Sequence, residues 1–223
     1  MDITNLLQEK KNIVFVGESG CGKTELSLNL AVALAKKCPG RVNLIDMDQT
    51  KGMFRSTDYK DAMSEAGVKL VCGEHFLDSP IVPPGVERLL TDDISINVMD
   101  VGGNETGAIK IGQFDRVLEN DTIFYMVVNP YRALSCDAQH INDMKLRIMR
   151  FGGITDVNIL VNPHVGDSTD KDFVLQGYED AKKSIAEMGM QISAVVIPSW
   201  LSECKSLIDS DNVYTIERYI QYP

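Results

Sequence analysis

Basic residues are scarce in this chain: 22 Lys and Arg stand against 32 Asp and Glu, a formal net charge of −10 at pH 7. Nucleic acid binding draws on a concentrated basic face. The short pairs Lys10-Lys11 and Lys36-Lys37 do not build one, so no nucleic acid partner is expected. Long apolar runs are missing too. No stretch reaches the roughly 18 apolar residues of a membrane-spanning helix, and residues 1–11 are mixed and charged, unlike a signal peptide. Tyr214, Ile216, Tyr219 and Ile220 lie among acids, whereas a membrane-surface helix wants lysine and arginine opposite its apolar face. No membrane partner is expected. The cysteines (Cys21, Cys38, Cys72, Cys136, Cys204) are odd in number, dispersed and without a CxxC pair, which fits a reducing cytoplasm better than a disulfide framework. Of the three histidines none follows a nucleophile elbow, so no Ser–His–Asp pattern is assigned. Cys72 and His75 form a CxxH pair, but zinc wants three or four ligands, and no metal other than magnesium is expected.

What is present is an ordinary globular composition, 223 residues with 44% hydrophobic, read as one domain. Short Val/Ile-rich runs at 12–16, 41–46, 94–100, 122–128, 157–161 and 193–197 alternate with helical stretches at 23–37, 137–150 and 170–188. This alternation predicts an α/β fold with a mostly parallel central sheet and helices on both faces. Leu26, Leu30, Ala33 and Leu34 give the first helix a face for that sheet. The insertion-like segment 49–93 carries Pro80, Pro83 and Pro84 and is expected to hold one helix near 59–66 and otherwise irregular structure, a place for partner specificity. Met144, Met149, Met188 and Met190 read as core or interface residues.

The strongest signal is Gly17-Glu18-Ser19-Gly20-Cys21-Gly22-Lys23-Thr24, which fits GxxxxGK[ST] between an apolar strand and an amphipathic helix. Glycines let backbone N–H groups curl around phosphate oxygens, and the helix that follows aims its positive end at the same anion. Lys23 is expected to reach the β- and γ-phosphates and the Thr24 hydroxyl to ligate Mg2+; residues 17 to 25, Glu25 included, are the candidate nucleotide loop. Cys21 reads as an inert filler, although a helix end can lower a thiol pKa. Two strand ends supply carboxylates: Asp46-Met47-Asp48 and Asp100-Val101-Gly102-Gly103. Magnesium prefers few carboxylates with water and phosphate oxygens, so one or two of Asp46, Asp48 and Asp100 act directly.

Together these motifs resemble the SIMIBI class of P-loop NTPases, specifically nucleotide-binding proteins of the MinD/ParA/CobQ type, in an order of elements covering nearly the whole chain. The resemblance implies an ATP hydrolase with magnesium that dimerises on nucleotide and uses turnover to change a protein partner. It implies that Asp48 orients the attacking water, that Asp46 and Asp100 sit at the metal, that Asn162 bonds adenine, and that Pro198-Ser199-Trp200 lines the base pocket. ATP is preferred to GTP because the run Asn162-Pro163-His164-Val165 lacks the acid of NKxD. One departure stands out. Members of the MinD/ParA group carry a lysine after the first P-loop glycine, where this chain has Glu18. Hydrolysis is then slow, or another cation such as Arg132 substitutes, or the dimer differs. A small-molecule ligase or kinase of the dethiobiotin synthetase type, and a non-hydrolysing nucleotide module, are the alternatives.

Overall fold

The apolar runs assemble side by side in the computed structural model, which describes residues 1–48, 59–72, 82–103, 105–119 and 121–220. The strands are β1 (Asn12–Gly17), β2 (Val42–Asp46), β3 (Lys69–Cys72), β4 (Ile96–Asp100), β5 (Thr122–Val128), β6 (Asn158–Val161), β7 (Ile192–Pro198) and β8 (Val213–Ile216). All pair parallel in the order β3-β2-β4-β1-β5-β6-β7-β8. Strands β1, β2 and β4 are buried along their whole length, because parallel strands need cover on both faces. One face is covered by α1 (Lys23–Lys37), α2 (Lys60–Glu65) and the 3-10 turn Ile3–Leu7. Against the other pack α3 (Val86–Thr91), α4 (Glu105–Gly112), α5 (Asp115–Leu118), α6 (Ala138–Gly152) and α7 (Lys171–Glu187). Of the four methionines, Met144 is in that core and Met149, Met188 and Met190 pack partly buried against it.

Strand β1 lies between β4 and β5, so the chain turns to opposite sides of it before and after that point. In open α/β sheets such a switch leaves a crevice beyond the strands' carboxyl ends. The P-loop opens there.

Two expectations need correction. The segment 49–93 is not irregular apart from one helix: it also carries β3 and α3, while 49–58 and 73–81, His75 and Pro80 among them, lie outside the described residues. Beyond the sixth expected strand the chain adds β8, so Tyr214 and Ile216 enter the sheet while Tyr219 and Ile220 lie beyond it. Both missed strands are four-residue edges.

Polar residues stitch the sheet at one level. Asn43 Nδ2 donates to Asn97 Oδ1 (2.9 Å), and Asn97 Nδ2 donates to Asn12 Oδ1 (2.8 Å) and to the Leu89 carbonyl (2.9 Å). These asparagines are register partners on β2, β4 and β1 and are buried. Asn97→Leu leaves three buried groups without a partner and is expected to cost about 3 kcal/mol, read as a lower urea midpoint. Replacing Asn12, Asn43 and Asn97 together by Val is expected to cost less than the single change, because only the Leu89 carbonyl then loses its partner.

Candidate functional site

Helices α6 and α7 begin with aspartate caps, Asp137 accepting from the His140 amide and Asp170 from the Phe173 amide. Helix α1 has none. Its N-cap is Gly22, at φ 100°, with no side-chain cap bond. A helix start without a side-chain acceptor leaves first-turn N–H groups for an external anion. Only glycine fits at position 22, since a Cβ would strike Asn162 Nδ2 as well as strain the backbone.

The carbonyls of the loop are held from outside. Lys23 Nζ, buried, donates to the Gly17 and Glu18 carbonyls (3.1 and 2.9 Å), Arg132 Nε to the Gly20 carbonyl (3.1 Å), and Asn162 Nδ2 to the Cys21 carbonyl (2.9 Å). Asn162, expected at a base, thus braces the loop; its Oδ1 is buried without a hydrogen bond. Glu18 turns sideways: its Oε2 accepts from the Leu134 amide (2.9 Å) and the Ser135 hydroxyl (3.2 Å). That contact fixes the 3-10 turn Ala133–Ser135 just after Arg132. Cys21 is fully buried and burial pushes its thiol up, the reverse of activation.

A cleft of 570 Å³ opens on this loop, lined by Ser19 to Glu25 with Asp48, Asn129, Arg132, Asn162, His164, Asp167, Pro198, Trp200, Glu217 and Arg218 among others. Thr24 is half-buried in its wall. Asp46 and Asp100 are register partners at the ends of β2 and β4, both buried, and the Asp48 amide donates to Asp46 Oδ1 (3.0 Å). Lys110 of α4 was not legible as a site residue. Its Nζ donates to the Met47 carbonyl (3.0 Å); burial pulls its pKa down, against the opposing pull of Asp48 and Asp46. After β4, a Cβ on Gly103 would collide with the Gly17 carbonyl, and one on Gly107 with that of Gly102, so α4 stacks through this turn onto the P-loop.

Glu25 faces the chain's far end. Its carboxylate accepts from the Tyr219 and Ile220 amides, and burial pushes its pKa up against those bonds. Asn29 takes both backbone groups of Glu217 (2.8 Å each), and Ser199 Oγ donates to Glu217 Oε2 (2.8 Å). The segment after β8 is therefore clamped along α1 as one wall of the cleft. Among the described residues, Cys136, Asp137 and His140 form a surface group of three potential metal ligands, with Asp137 engaged in capping α6. No helix among those residues is long and apolar enough to cross a membrane.

His164 sits beside Trp200, ring centroids 6.4 Å apart. Its Nδ1 accepts from the Gly166 amide (2.9 Å), which leaves the neutral ring's proton on Nε2. Burial, with the positive charges of Arg218 and Arg132, pulls its pKa from 6.5 to about 4. The unfolded imidazole takes a proton near 6.5, the native one not until about 4. Stability is therefore expected to fall as pH drops through that window, by up to about 3 kcal/mol, and to be unaffected by this group above it. His164→Gln should shrink the difference in urea midpoint between pH 7 and pH 4.5.

No curated protein matches this chain in sequence. Among solved structures it is similar to FtsY of Thermotoga maritima (16% identity, TM-score 0.52, 87% of this chain and 67% of that one). FtsY of Mycoplasma mycoides (16%, 0.53, 87% and 67%) and FtsY of Elizabethkingia anophelis in complex with GDP (17%, 0.50, 87% and 64%) are similar too. The chain spans about two thirds of their length, and at these identities the likeness is one of fold. The CobQ/CobB/MinD/ParA nucleotide-binding domain family matches residues 13–198. With its P-loop strand at the switch point of a parallel sheet, this chain belongs to that family, within the SIMIBI class of P-loop NTPases.

Proposed function

We propose that this chain is a cytoplasmic ATP-binding switch that hydrolyses slowly with magnesium and passes between two states for a protein partner, with a nucleotide-dependent homodimer as one of them. The observation that carries the reading is the P-loop itself: the carbonyls of Gly17, Glu18, Gly20 and Cys21 are taken by Lys23, Arg132 and Asn162 where the loop lines a 570 Å³ cleft. That is a phosphate cradle in chemical terms.

The donor set suits a hard divalent ion. Thr24, Asp46, Asp48 and Asp100 offer oxygen only, with the charge of Lys110 beside Asp46 and Asp48. Thr24 and Asp100, with Asp46, would hold magnesium, which would supply positive charge against the negative charge of the phosphates. Lys23 exchanges its loop carbonyls for phosphate. Asp48, which lines the cleft, positions the water. Arg132, clipped against Gly20 by the Glu18 contact, takes the place of the absent signature lysine and stabilises charge in the transition state. Pro198 and Trp200 flank the base.

Calorimetry with Mg2+ and ATP, GTP and non-hydrolysable analogues tests the reading. Lys23→Ala is expected to lower ATP affinity at least about tenfold, a change of about 1.4 kcal/mol; unchanged affinity refutes the site. Arg132→Ala should reduce kcat by about tenfold or more while altering Kd far less, so an equal loss in both would make Arg132 a binding residue only. Sizing with the non-hydrolysable analogue should give twice the monomer mass, and a monomer in every state removes the dimer from the proposal.

A further inference from the structure

Two charged side chains on the cleft wall come from segments far apart in sequence. Asp167 lies in the 3-10 turn Gly166–Ser168 after β6, Arg218 just beyond β8, and they form an ion pair. The Arg218 side chain is mostly buried, whereas that of Asp167 is exposed on a braced turn. Thr169 Oγ1 accepts from the Val165 amide (2.9 Å) and donates to the Gly166 carbonyl (2.7 Å), which braces the turn. Arg218 Nε donates to the Ile220 carbonyl (2.9 Å), and the backbone on both sides of it is clamped by Asn29 and Glu25 of α1. The guanidinium is thus fixed at two points, and the helix that begins at the P-loop sets its position.

A carboxylate on this wall matters because of what bases offer. Guanine presents N1–H and N2–H2 side by side, two donors that match two carboxylate oxygens. Adenine presents one donor, N6–H2, next to the N1 lone pair, which an acid repels. An intact pair with Arg218 removes Oδ1 of Asp167 from any base and sets donors in its place, suited to the ring nitrogens of adenine.

We infer that the Asp167–Arg218 pair discriminates between the purines: closed, it admits adenine, and opened, it exposes a carboxylate that reads guanine. This rests on the nucleotide reading above. The test compares ATP·Mg and GTP·Mg affinities by calorimetry in the whole chain and three variants. Wild type should favour ATP. Arg218→Met should shift the ratio of the two dissociation constants toward GTP by about tenfold or more. Arg218→Lys, which keeps the charge but not the two-point hold, should shift it less in the same direction. Arg218→Met with Asp167→Asn should return it to the wild-type value. The inference is overturned by a wild type that favours GTP, by Arg218 variants whose ratio stays within about threefold of wild type, or by a double variant that keeps the shift. A wild type that binds neither nucleotide overturns the proposed function as well, whereas ATP binding with an indifferent ratio overturns the inference alone.

Discussion

Backbone amides can converge on an anion only if the carbonyls between them point elsewhere and find partners. That requirement governs the centre of this molecule. Lys23, Arg132 and Asn162 take the carbonyls of residues 17, 18, 20 and 21, and they come from α1, the loop after β5 and the end of β6. Each buried carbonyl left unmatched would cost roughly 1–3 kcal/mol, so the loop's shape depends on β5 and β6, which the sheet order brings to one side of β1. The same order sets Asp46 and Asp100 side by side. The parallel sheet is therefore the scaffold that makes a short glycine-rich bend stable in an otherwise unfavourable conformation.

Glu18 shows how one residue changes this local design. A lysine there would project from the loop; the glutamate instead bonds to the backbone and hydroxyl of the turn that follows Arg132. Charge at the loop's rim comes from a residue more than 100 positions later in the chain. Glu25 makes a comparable long-range bond, to the chain 194 and 195 positions away. Both acids sit within or next to the P-loop motif, yet each spends its carboxylate on positioning another wall of the cleft.

Much of this was legible in the sequence where the signal is local. The P-loop, the two aspartate strand ends and the helix at Lys23–Lys37 follow from residue types at fixed spacing, and all six expected strands are present. The elements not seen in advance are short. Strand β3 is half-exposed along its length, and α3, α4 and α5 span 6, 8 and 4 residues, too few for periodicity to declare itself. The roles of Glu18, Asn162 and Lys110 depend on partners far along the chain, and no spacing rule encodes such a contact. The asparagine ladder escaped for the same reason: only the strand register brings Asn12, Asn43 and Asn97 level.

The turn at Gly102 and Gly103 has a mechanical consequence. Its backbone rests on the P-loop with no room for a side chain, and α4 approaches it as closely at Gly107. Lys110 closes the loop by tying α4 back to the Met47 carbonyl between Asp46 and Asp48. A shift of the backbone at residue 17 would therefore meet the Gly103 turn first, and α4 behind it. Ile109, exposed on α4, lies on the helix that makes these contacts.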